Sequence, residues 1–128
     1  DEKLFSERNA AVIEGFVQAV EKGGPESSNC HSKNPDDWDY YIYLAKDDKL
    51  RTIGDCAILA VTPASRKLNL SWNWKYIKGL QGKRLRVTGW MLYNYTETRK
   101  SYDTNPYALR VERRTVWELH PVTNILVN

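Results

Sequence analysis

Cysteine, histidine and methionine are scarce in this chain. It has two cysteines, two histidines and one methionine in 128 residues. Two cysteines, Cys30 and Cys56, cannot build a disulfide scaffold, and neither has the C-x2-C or Cys/His partner of a zinc motif. They could form a single bridge in an oxidising compartment. No apolar run approaches the roughly 20 residues that a membrane-spanning helix needs, which excludes a helical membrane span. There is no low-complexity tract and no internal repeat. A hydrophobic fraction of 41% with 27% charged residues excludes a disordered tail and leaves ordinary globular usage. The length is that of one domain. Residues 1–9 are polar and read as a flexible lead-in, with a single domain over 10–128. The first residue, Asp1, is not an initiator methionine; if a signal peptide was removed before it, the protein is secreted or periplasmic.

A net charge of +3 conceals a split between the halves. Residues 1–64 carry 7 basic and 12 acidic side chains, and residues 65–128 carry 12 basic and 4 acidic. A basic half can attract phosphates and an acidic half can hold cations, although the halves of one domain usually interleave.

Period-two alternation marks most of the elements. Residues 10–20 read as a long strand, with Gly15 at a bend. Residues 21–37 are a loop, rich in Gly, Pro, Ser and Asn. Trp38 to Lys46 is a second strand with Tyr40, Ile42 and Leu44 on one face and Asp39, Tyr41 and Tyr43 on the other. Asp55 to Thr62 is a third strand that Pro63 stops. One short helix follows over 70–80, capped by Ser71. Residues 83–95 alternate again, with Leu85, Val87, Gly89 and Met91 inward and Trp90 outward. Residues 95–112 form a second long polar segment, and a last strand over 115–120 ends at Pro121. The expected core includes Ile13, Val17, Ile42, Leu44, Leu59, Val61, Leu85, Val87, Trp117 and Leu119. Five strands with a helix between the third and fourth predict an all-β, five-stranded OB-fold-like barrel. In that fold, ligands meet the loops after the first and fourth strands and the face of strands two and three.

Three stretches stand out: Gly24-Pro25-Glu26-Ser27, Val87-Thr88-Gly89-Trp90 and Trp117-Glu118-Leu119-His120-Pro121-Val122. Together they resemble a little-studied family of small bacterial OB-fold proteins with a Gly-Pro-Glu-Ser loop and a closing Trp-Glu-x-His-Pro-Val motif. The resemblance spans most of residues 11–127. It implies the barrel and a role in nucleic-acid binding, with no established activity. The chain departs from the family pattern at Ala60, at Ala64 and over Asn94 to Glu97, which weakens any inherited catalytic or metal site.

Two groups of residues carry the functional expectations. Tyr41, Tyr43, Arg99, Lys100, Tyr102, Arg110 and Arg113 mix aromatic and basic types where OB-folds bind ligands. Tyrosines stack on bases and cations neutralise phosphates, so single-stranded nucleic acid or another anionic polymer is the first expected partner. Asp36, Asp37 and Asp39 border the same groove and would repel phosphate. The alternative is a carbohydrate- or protein-binding module outside the cytoplasm. The second group is His31, Asp39, Glu118 and His120, with Glu118 and His120 two apart on one strand and therefore on one face. These types suit a divalent metal or acid–base chemistry, so a metal-binding enzyme is the third reading. The simpler expectation is that Glu118 pairs with an arginine such as Arg86 and that His120 caps a turn. No cofactor is otherwise implied, and enzymatic activity is not the leading reading.

Overall fold

A computed structural model describes residues 9–25, 30–49, 55–93 and 117–128. Residues 1–9, expected as a lead-in, fall outside the described residues apart from Asn9, as does the segment that carries Arg99, Lys100, Tyr102, Arg110 and Arg113. The strands are β1 (Ala10–Lys22), β2 (Tyr40–Ala45), β3 (Ala57–Val61), β4 (Arg84–Tyr93) and β5 (Trp117–Val127). They close into one barrel in the order β1-β2-β3-β5-β4, and β3–β5 is the parallel pair. This is the all-β OB-like arrangement expected from the alternation and from the helical position between β3 and β4. Among the described residues, no helix is long and apolar enough to cross a membrane.

β1 serves both neighbours. Ala10–Phe16 pairs with β4 and Phe16–Lys22 with β2, with a register shift between Val17 and Ala19. Where the strand changes partners, a Cβ on Gly15 would lie 2.3 Å from the Ala45 carbonyl oxygen. Only glycine allows the backbones to approach that closely, which accounts for the bend expected there. The inward residues follow the period-two pattern. Val17, Ile42, Leu44, Leu59, Val61, Leu85, Val87 and Leu119 are buried in one core, and Ile13 packs partly buried against it. Trp72 joins this core, and Tyr76 packs against it.

The connection from β3 to β4 contains two short helices, α1 (Pro63–Leu68) and α2 (Trp74–Lys78), rather than one over 70–80. Pro63 does end the strand, but it also begins α1. Proline's fixed φ suits the first helical position, and the Thr62 side chain accepts the Ser65 amide at 3.2 Å as the cap. Asn73, not Ser71, caps α2, accepting the Tyr76 amide at 2.9 Å.

β5 also differs from expectation: it runs through Pro121 to Val127. The proline is accommodated at an irregularity in the ladder. Gly89 pairs with Val122 and Met91 with Leu119, so His120 and Pro121 together stand opposite Trp90. Such a bulge re-aims the residues that it contains. Gly89 makes it fit, since a Cβ there would meet the Pro121 carbonyl oxygen at 2.6 Å and Leu119 Cγ at 2.7 Å. The Gly89→Ala variant is therefore expected to lose about 1–3 kcal/mol, the usual range for overpacking. Urea unfolding should show a lower midpoint at an unchanged slope, and an unaltered midpoint would contradict this account of the bulge.

Candidate functional site

The β5 bulge places His120 beside Glu118 and beneath Asp39, the residue before β2. His120 Nε2 lies 3.3 Å from Asp39 Oδ2, and His120 Nδ1 lies 3.5 Å from Glu118 Oε2. The Asp39 and Glu118 side chains are only 5% and 2% exposed, and that of His120 is 12% exposed. These contacts are ion pairs without the alignment of good hydrogen bonds. Burial alone would push the His120 pKa down, but contacts with the Asp39 and Glu118 carboxylates and their charge outweigh it, raising the pKa to about 9. At neutral pH the ring is an imidazolium bracketed by carboxylates.

A hollow of about 750 Å³ opens beside Asp39 and His120, between the start of α1 and the β5 bulge. Asp39 and His120 contribute to its floor, and its apolar walls include Pro63, Ala64, Leu92 and Pro121. Cys30, Asp37 and Lys67 also line it. α1 ties the walls together. The buried Ser65 Oγ donates to the Val122 carbonyl at 2.7 Å, joining the helix to β5 beyond the bulge. Arg66 reaches the other way, donating to the carbonyls of Val61 at 2.8 Å, Asp36 at 3.1 Å and Trp38 at 2.8 Å. Its guanidinium also lies 3.9 Å from the Tyr40 ring centroid. Burial lowers the Arg66 pKa from its ordinary value, with Tyr40, Asp39 and Asp36 pulling the other way. A single side chain thus fixes the 3-10 turn Pro35–Asp37 against the end of β3.

Of the four expected metal-site residues, the fold brings together Asp39, Glu118 and His120 but leaves out His31. His31 is exposed, with a φ of 54° in the turn that it shares with Cys30. In the three that converge, both His120 nitrogens face carboxylates, Nε2 towards Asp39 and Nδ1 towards Glu118. Among the described residues, no group of three or more His, Cys, Asp or Glu side chains is arranged to hold a metal ion. Glu118 does not pair with Arg86, which lies 3.4 Å from Glu14 instead. Neither Cys30 nor Cys56 is in a disulfide; Cys30 is exposed at the hollow and Cys56 is buried. Cys56 lies in a second apolar cluster with Tyr43, Ala45 and Ile58, so the two thiols do not meet in a bridge.

The strand-two face is not an open stacking platform either. Tyr43 is buried in that second cluster and donates its hydroxyl to the Glu21 carboxylate on the paired strand, while Tyr41 packs half-buried against the same cluster. The other five ligand-binding candidates lie outside the described residues. Sequence reading missed Arg66 and Ser65, although Thr62-Pro63 with a serine three residues after the threonine was a usable helix-start signal. Compared with family models, characterised proteins and solved structures, the chain matches none. The family resemblance thus rests on its three motifs.

Two outcomes follow from this geometry. The His120 pKa is raised above the ordinary 6.5, so its stabilising charge is fully present below about 6.5 and lost as pH rises through about 9. Stability measured by urea unfolding should fall across that window. His120→Gln should remove this pH dependence and cost about 3–5 kcal/mol at neutral pH, because it leaves buried carboxylates uncompensated. Arg66→Lys keeps the charge but cannot span three carbonyls. Amide exchange at Trp38, whose N–H bonds the Pro35 carbonyl at 3.1 Å, should accelerate in that variant while exchange in the β4–β5 ladder does not.

Proposed function

We propose that the protein is a non-catalytic binding module of the OB-like class whose ligand enters the hollow above His120. The observation that carries this reading is the hollow itself, an apolar-walled concavity of about 750 Å³ with a few polar groups converging on its floor. The chemistry of that floor favours binding over catalysis. A general base needs a free lone pair and a pKa near the working pH, and His120 has its nitrogens engaged and its pKa at about 9. Among the described lining residues, the Asp39 and Asp37 carboxylates are matched by the His120 imidazolium and Lys67, so the hollow has no excess of positive charge to hold a polyanion. This weighs against single-stranded nucleic acid or another polyanion in the hollow and favours the carbohydrate or protein alternative.

Cys30 supplies the test, because it is the exposed thiol at the hollow while Cys56 is buried. The rate of Cys30 alkylation would be measured with dodecathymidylate, with maltoheptaose and with a soluble random dodecapeptide mixture. Slowing by the sugar or the peptides, and not by the oligonucleotide, is the expected result. Slowing by the oligonucleotide alone, weakening steeply with salt, would restore the polyanion reading. No slowing by any of the three would remove the hollow as a binding site.

A further inference from the structure

Resting on the binding-module reading, we propose that the hollow continues as a trench that takes an extended peptide segment bearing one basic and one apolar side chain. A second hollow, of about 340 Å³, adjoins the first. The two share Asp37, Pro63 and Lys67, so these residues form a saddle between compartments rather than an outer wall. An elongated, two-chambered concavity suits an elongated ligand with side chains placed apart along it.

The chambers differ in chemistry. Asp37 belongs to both, and Asp36, exposed like it on the 3-10 turn, lines the second. Arg66 does not offset them for a ligand, since its guanidinium is taken up by three backbone carbonyls and the Tyr40 ring. Lys67 is the exposed cation on the saddle. Asp39, 95% buried at the floor of the first chamber, makes only an ion-pair contact through Oδ2 and no aligned hydrogen bond there. A basic side chain whose methylenes lie along Pro63, Leu92 and Pro121 and whose head faces Asp37 meets apolar walls and a carboxylate, with Lys67 the one described cation on the saddle that it must turn away from. In the second chamber, Leu70 is 84% exposed. Covering it with an apolar side chain removes that surface from water.

The aromatic residues argue for peptide over sugar or base. Both classes bind by stacking on an open ring face. Tyr40 has Arg66 over its face and Trp74 edge-on at 5.2 Å, and Trp72 is buried. Among the described residues, neither ring that lines the second chamber presents a free platform.

Phage-displayed random dodecapeptides selected on the full chain test this. The expected result is enrichment of peptides that combine Lys or Arg with a large apolar residue. Binding of the synthetic winner should weaken about tenfold in Asp37→Asn and in Leu70→Ser, the loss of one charge-assisted or apolar contact each. Both residues are exposed, and asparagine retains an oxygen to accept the Ser32 hydroxyl that Asp37 now accepts at 2.7 Å. Winners without a basic residue, binding indifferent to Asp37→Asn, or no enrichment would each overturn the peptide inference. If maltoheptaose still slows Cys30 alkylation in that event, the binding-module reading survives without the peptide. If no probe slows it, both readings fall.

Discussion

The charge on His120 is what makes the flank of this barrel tenable. Two carboxylates have been withdrawn from water beside an apolar core, and the imidazolium between them offsets the cost of burying their charge. That requirement reaches far along the chain. His120 gets to the carboxylates through a bulge in β5, the bulge fits because residue 89 has no side chain, and Asp39 is held above by a loop that Arg66 anchors.

The barrel was legible because a closed sheet with one buried face imposes strict alternation. Ile42 and Leu44, or Leu85 and Val87, have nowhere to point except inward. Gly15 was legible as a bend for a related reason, since a strand that pairs on both edges must coil. The helices were harder. A five- or six-residue helix has almost no periodicity to detect, and Pro63 signals the end of a strand as strongly as the start of a helix. Extending β5 past Pro121 was not legible either, because the proline is tolerated only through a bulge whose enabling residue, Gly89, lies on another strand.

The candidate site was half visible. Two residues apart on a strand, Glu118 and His120 had to share a face, and Asp39 just before β2 was near enough in topology to join them. His31 was carried along by residue type alone, and its left-handed turn leaves it exposed. What composition cannot reveal is who neutralises whom. Glu14 takes Arg86 and Glu21 takes the Tyr43 hydroxyl, and both pairings depend on strand register rather than on spacing within a segment.

The frame around the hollow is fastened largely to main-chain oxygens. Arg66 grips the carbonyls of Val61, Asp36 and Trp38, and Ser65 grips that of Val122. A carbonyl belongs to whichever amino acid occupies the position, so those four positions can change identity without unfastening these bonds. The scaffold is thereby uncoupled from part of its own lining: substitutions at Asp36 can alter what the cavity accepts while the architecture persists. A protein built this way can drift in ligand preference without first having to find a new way to hold itself open.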